Sequence, residues 1–217
     1  MPAKNVIKSF VEGGYYHIYN RGVAKQNIFP TEKDYRTFLY FLKEYLLPPE
    51  HQDLKNPKEI IPRRKPLNCN KQVHLLAYCL MPNHFHLLIK NLVERGMEKF
   101  MRALATSYSG YFNRTYQRVG PLFQGRYKAV LIERDEQFVY VSKYIHQNPK
   151  ELLAKDGPLC SYPYSSYPNY LGKRKQDWVD TNEIFAFFSQ KFPQQEYKVF
   201  VEELEEYPKD IASLLLE

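Results

Sequence analysis

The decapeptide MPNHFHLLIK, residues 81 to 90, sets His84 and His86 either side of Phe85 in an otherwise apolar, β-prone run. In a strand, residues i and i+2 point to one face with about 7 Å between their backbones. Both imidazoles can therefore converge on one cation, while Phe85, Leu87 and Ile89 turn to a core on the other side. A motif this short also fits two ordinary histidines on a half-exposed strand. A metal ion that does chemistry needs a third protein ligand and an open coordination position. No HExxH lies nearby, and the facing of Cys79 on the preceding strand is undetermined, so the third ligand has to come from elsewhere. Tyr144 and Asn148 stand four apart, one turn along a predicted helix, where an amide oxygen can bind an ion and a phenol can address a phosphate held by it. Tyr40 with Glu44 meets the same spacing, and Tyr144 also reads as a packing tyrosine ahead of a helix-stopping Asn-Pro, so spacing leaves the choice open.

The elements that must position these residues follow from periodicity. YYHIYNR, after Gly13-Gly14, reads as a strand. TEKDYRTFLYFLKEYLL predicts a helix with Thr31 as N-cap and Tyr35, Phe38, Leu39 and Leu42 at helical spacing. Pro48-Pro49 stops it, and residues 48–72 form a Pro-rich, basic loop. VHLLAYCLM and HFHLLIK, joined by Pro82-Asn83, make a hairpin. A second helix carries Met97, Phe100, Met101, Leu104, Tyr108, Tyr111 and Phe112 on a broad core-packing face. A strand over 126–133 and a third helix beginning with Asp135 as N-cap and ending at Asn148-Pro149 complete the order. Strand, helix, hairpin, helix, strand is the pattern of an α+β, ferredoxin-like βαββαβ antiparallel sheet with helices on one face. One further helix and a Tyr/Ser/Pro-rich extension, with helical patterns near 181–190 and 194–216, are added to it. Residues 1–150 and 151–217 divide on this basis into a domain and an extension packed on or beside it.

At 217 residues the chain has room for a sizeable core, and 44% hydrophobic residues give it a globular composition. Nineteen tyrosines oblige many phenols to find partners or a surface. The formal net charge of +7 favours a polyanionic partner, nucleic acid first and an acidic membrane surface second. Cys69, Cys79 and Cys160 are odd in number and form no CxxC, which speaks against a disulfide framework or a thiolate zinc site. MPAKNVIKSFVEGG lacks the apolar core of a secretory signal, and LLAYCLM is too short to span a bilayer. A reducing, cytoplasmic setting is the expectation, with nucleoid association when bound to DNA and no membrane partner.

Taken in order, YHIYNRGVAKQNIF, MPNHFHLLIK, GPLFQGRYKAVLIE and YIHQNP resemble the HUH single-strand DNA transposases of the IS200-like family, in particular the REP-associated tyrosine transposase branch. The resemblance spans about residues 14–150 and makes that part the catalytic domain. It implies that His84 and His86 bind a divalent cation, Mg or Mn, and that Tyr144, rather than Tyr108, Tyr111 or Tyr116, is the nucleophile. The third ligand falls on Asn148, where relatives often carry Gln, with His146 and Gln147 as neighbouring substitutes. The implied activity is a metal-dependent endonuclease and strand transferase acting on single-stranded DNA in hairpin-forming repeats, through a 5′-phosphotyrosine intermediate. Arg21, Arg114, Arg118, Arg126 and Lys128 flank the motifs as nucleic-acid-binding candidates, with Tyr111 or Tyr127 to stack bases. The family includes dimers that exchange the nucleophile helix as well as monomers, and the extension after Pro149 favours a monomer over a homodimer. The alternatives are a non-catalytic DNA- or RNA-binding protein of the same fold and a replication-type HUH nickase, against which the short chain argues.

Overall fold

The computed structural model describes residues 10–48, 50, 67–154, 157–203, 207–208 and 211. Most of the basic loop expected over 48–72, and part of the helix expected over 194–216, lie outside the described residues. Four strands, β1 (Tyr15–Arg21), β2 (Val73–Met81), β3 (His84–Asn91) and β4 (Lys128–Ile132), form a sheet in the order β2-β3-β1-β4, every neighbouring pair antiparallel. The helices α1 (Glu32–Leu46), α2 (Gly96–Thr115) and α3 (Asp135–Gln147) occupy the predicted places in the chain.

Alternation along the strands sorts the core into two layers. Tyr16, Ile18, Phe85, Leu87 and Ile89 pack against Phe38 and Leu42 of α1 and Phe100, Met101, Leu104 and Tyr108 of α2. The two helices of the βαββαβ unit thus share one face, as the pattern predicts. The opposite face carries Leu88, Cys79 and Ile132, covered by Phe138, Val141 and Ile145 of α3 and by the C-terminal extension. A bulge between Leu75 and Ala77 shifts the alternation of β2, so Cys79 lies opposite His86, on the α3 face. Burial pushes its thiol pKa up, holding it protonated.

Thr31 caps α1 in a capping box, its backbone N–H and hydroxyl both donating to Asp34 Oδ2 at 2.9 and 2.7 Å. The buried Asp34 also accepts from Tyr111 at 3.0 Å and Tyr116 at 2.7 Å, tying the start of α1 to the end of α2. At α3 the cap differs from expectation. Arg134 is the N-cap and Asp135 the first helical residue, where its charge still favours the helix N-terminus.

The extension adds the short helices α4 (Tyr167–Tyr170) and α5 (Asn182–Phe185) and the longer α6 (Pro193–Glu202). Its segment 164–166 lies along the outer edge of β2, with Leu80 N–H donating to Tyr164 O and Ser166 N–H to Tyr78 O, both at 2.9 Å. Tyr162 and Tyr170 donate to the β2 carbonyls of Leu80 and Leu76 at 2.6 and 2.8 Å. The tyrosine-rich stretch thus satisfies buried phenols with backbone acceptors and covers an edge that would otherwise be open to pairing.

Candidate metal centre and nucleophile

His84 and His86 project from β3 to the α3 face, their rings 4.9 Å apart and nearly perpendicular at 89°. Each is held through Nδ1. His84 Nδ1 lies 2.6 Å from Asn83 Oδ1 and His86 Nδ1 lies 2.9 Å from Nε2 of His17. The outward nitrogens differ in their surroundings. His84 Nε2 is 3.4 Å from Asn148 Oδ1, whereas His86 Nε2 is buried with no hydrogen-bond partner among the described residues. Burial, followed by the neighbouring His17, His84 and Arg21, drives the His86 pKa well below the usual histidine value. A neutral imidazole with an unsatisfied, inward-facing nitrogen is the form that ligates a metal ion.

Helix α3 brings Tyr144 and Asn148 to the same place. The Tyr144 ring stands edge-on to His86 at 5.4 Å and to His17 at 5.8 Å between centroids, and Tyr144 and Asn148 are both half-buried. Asn148 is the C-cap of α3, and its amide nitrogen donates to Tyr144 O at 3.3 Å, which turns Oδ1 toward His84. Two imidazole nitrogens and one amide oxygen therefore converge beside a phenol. These donors suit Mg²⁺ or Mn²⁺, and being uncharged they leave the ion's positive charge undiminished.

His146 and Gln147, the alternatives for the third ligand, face elsewhere. His146 is fully buried, within 2.7 Å of both Tyr197 Oη and Ser166 Oγ, and burial together with the Arg174 charge pushes its pKa down to about 3. Gln147 donates to Val201 O at 2.5 Å and accepts from Tyr207 at 2.6 Å. Both are held by the extension.

The basic candidates divide. Arg21 pairs in register with His84, and Lys128 pairs with Tyr19, which places both on the histidine face. Arg126 turns to the other side, with Nη2 4.0 Å from Glu98 at the start of α2 and its guanidinium over Tyr127. Arg118 lies over Phe112, and Arg114 is exposed in the last turn of α2. Tyr111 and Tyr127, considered for base stacking, are 7% and 8% exposed and belong to the core. Tyr19 is the half-buried aromatic on the proper face, stacked on His86 at 5.9 Å. Sequence reasoning passed over both His17 and Tyr19. The same alternation that singled out His84 and His86 was available in YYHIYNR, where His17 and Tyr19 alternate with the core residues Tyr16 and Ile18.

A second grouping, His74, Asp180 and Glu183, lies close enough to hold a cation by distance. Glu183 is already engaged there by Lys90 Nζ at 2.9 Å and by the Tyr15 hydroxyl.

The antiparallel sheet, its two covered faces and its added helical region reproduce the fold of a tyrosine transposase. A solved structure described as "Structure of the REP associates tyrosine transposase bound to a REP hairpin" superposes with a TM-score of 0.54 at 14% identity, covering 82% of this chain and 93% of that one. Residues 52–148 match the family model described as Transposase IS200 like, a span that contains His84, His86, Tyr144 and Asn148. The family model supports the resemblance to the IS200-like transposases over residues 52–148, and the solved structure supports the fold. No curated protein matches the chain in sequence. Among the described residues, no helix is long and apolar enough to cross a membrane.

Proposed function

We propose that this chain is a metal-dependent endonuclease and strand transferase for single-stranded, hairpin-forming DNA, with Tyr144 as nucleophile and His84, His86 and Asn148 as cation ligands. The observation that supports it most is the convergence on one face of His84 Nε2, Asn148 Oδ1 and the buried His86 Nε2, which has no hydrogen-bond partner among the described residues, beside the Tyr144 ring. The REP hairpin bound by the structural neighbour supports the substrate class. Residues 1–150 carry the chemistry in this reading, and the described part of the extension 151–217 seats α3.

When bound, the cation supplies positive charge to a non-bridging phosphate oxygen. Tyr144 Oη attacks phosphorus, and the P–Oη bond forms as the P–O3′ bond breaks. The phenol gives up its proton and the leaving 3′-oxygen takes one up, leaving a 5′-phosphotyrosine and a free 3′-OH. The new ester keeps the bond energy, so attack by another 3′-OH reverses the step and rejoins strands without a nucleotide cofactor. Arg21 and Lys128 hold the phosphate backbone, and Tyr19 offers a ring to an unpaired base. The bonds from His146 and Gln147 to the extension favour a monomer in which Tyr144 serves its own histidines.

The test is incubation with labelled hairpin single strands and Mn²⁺ or Mg²⁺, followed by denaturing electrophoresis for a covalent adduct. Tyr144→Phe is expected to abolish the adduct while retaining binding, and EDTA or His86→Ala to suppress cleavage. An undiminished adduct in Tyr144→Phe would sink the nucleophile assignment. Binding without any adduct across many hairpins would favour a non-catalytic DNA-binding protein.

A further inference from the structure

His17 is fully buried on β1, away from any surface a DNA strand could reach, yet its ring nitrogen meets one of the two histidines from the sequence motif. Its Nε2 is 2.9 Å from His86 Nδ1, and the two rings lie nearly parallel, 5.1 Å apart at 21°. A hydrogen bond between two neutral imidazoles carries one proton, so one ring donates and the other accepts. If His17 donated, the proton of His86 would sit on Nε2 and point into the space between His84, Asn148 and Tyr144. A cation could not bind there without displacing it. If His86 donates from Nδ1, its Nε2 offers a lone pair to that space, and His17 carries its own proton on Nδ1.

His84 shows the same device with an unambiguous partner. Its Nδ1 is 2.6 Å from Asn83 Oδ1 and its Nε2 3.4 Å from Asn148 Oδ1, both acceptors only, so the shorter contact takes the proton and the lone pair is on Nε2. The Asn83 orientation is set independently, since its Nδ2 donates to Lys25 O at 3.4 Å. The two motif histidines are thus both gripped at Nδ1, one by an amide oxygen in the hairpin turn and the other by an imidazole from the adjacent strand.

We propose that His17 is a positioning residue that accepts a hydrogen bond from His86 Nδ1–H and thereby holds His86 in the tautomer and ring orientation that present Nε2 to a divalent cation. The inference rests on the metal-site reading above and adds to it the residue that makes one ligand competent. Partners of this kind typically contribute 10- to 100-fold in metal affinity.

The decisive measurement needs no variant. Long-range ¹H–¹⁵N correlation spectra of the metal-free, full-length protein are expected to show His86 as the Nδ1–H tautomer and His17 likewise. A His86 protonated on Nε2 overturns the proposal. Mn²⁺ titration of the DNA-free protein, followed by the EPR signal of the free ion, supplies the second readout. His17→Phe is expected to weaken Mn²⁺ binding about 10- to 100-fold, and His17→Gln, which restores an acceptor oxygen, to recover most of it. Wild-type Mn²⁺ affinity in a folded His17→Phe, alongside its loss in His86→Ala, overturns the role of His17 while leaving the metal site standing. Unchanged affinity in His86→Ala overturns the metal-site reading itself, and the role of His17 with it.

Discussion

Replacing Tyr197 with Phe removes one oxygen from the contact between α6 and α3 and leaves the ring where it is. That ring is fully buried and packs on Tyr170 at 4.6 Å and His146 at 5.7 Å, so the substitution opens no cavity of consequence. The oxygen stands in a chain of hydrogen bonds whose direction can be worked out. Ser142 O–H donates to Val139 O at 2.6 Å, so Ser142 Oγ accepts from Tyr197 at 3.0 Å. With its own proton directed at Ser142, Tyr197 Oη accepts from His146 Nδ1–H at 2.7 Å, and His146 Nε2 takes the Ser166 hydroxyl proton at 2.7 Å in preference to the more distant Tyr78 O at 3.2 Å. Phe at 197 leaves Ser142 its bond to Val139 but strands the buried Nδ1–H of His146. Two net hydrogen bonds at about 1 kcal/mol each, plus part of the cost of an orphaned donor, give a loss of about 2–3 kcal/mol. That is a sizeable share of the ~5–15 kcal/mol that holds a domain folded. With a urea m-value of about 2 kcal/mol/M, the unfolding midpoint is expected to fall by about 1–1.5 M. A midpoint within about 0.2 M of wild type, with m unchanged, would refute the directional chain and the clamping role assigned to it.

Three further outcomes are expected. Arg21→Ala with Lys128→Ala should lower the slope of hairpin affinity against salt by about 1–2, since each phosphate neutralised by a side chain adds about 0.7–0.9 to that slope; a similar decrease from Arg126→Ala, whose guanidinium is turned to Glu98, would reassign the DNA face. At Glu183, burial raises the carboxyl pKa, but the Tyr15 hydrogen bond and Lys90 outweigh it and the net shift is downward. Its contribution to stability is therefore present above the ordinary carboxylate pKa and lost as pH falls through the depressed one. The melting temperature of Glu183→Gln should trail wild type at pH 7 and converge with it on acidification, and a constant gap down to pH 3 would contradict this. In Gly22→Ala, the new Cβ would run into the carbonyl oxygen of Gln26 and meet Ile28 Cγ2 at 2.9 Å. A loss of about 1–3 kcal/mol in chemical denaturation is expected, and wild-type stability would show that this loop yields freely.

Much of the layout is legible in the chain because strand and helix periodicities are local. The face shared by His84 and His86, the turn between the hairpin strands, and the spacing of Tyr144 from Asn148 are all set within a few residues. What escaped is non-local. The side on which Cys79 lies depends on a bulge at Leu75/Ala77 that no composition marks. Tyr111 looks like an aromatic available to a base until Asp34, on another helix, accepts its hydrogen bond. Arg126 sits beside the motif segments in sequence, but its partner Glu98 draws it to the opposite face. His17 obeys the same alternation as the motif pair, and only the pairing of β1 with β3 brings its ring against His86. The extension shows helical patterns but not its seat on the sheet, because Tyr162 and Tyr170 are placed by carbonyls of β2, far away in sequence.

Successive residues on a helix are about 100° apart in azimuth, so an α3 turned by one position would aim Lys143 or Ile145 at the histidines instead of Tyr144. The bonds of Ser142, His146 and Gln147 with Tyr197, Ser166, Val201 and Tyr207 rule out that rotation, since each would forfeit its matched partner at once. The bearing of the phenol is therefore written into contacts made outside the HFH motif. Drift in those contacts would spoil the aim of the proposed nucleophile while every residue of the motif remained intact.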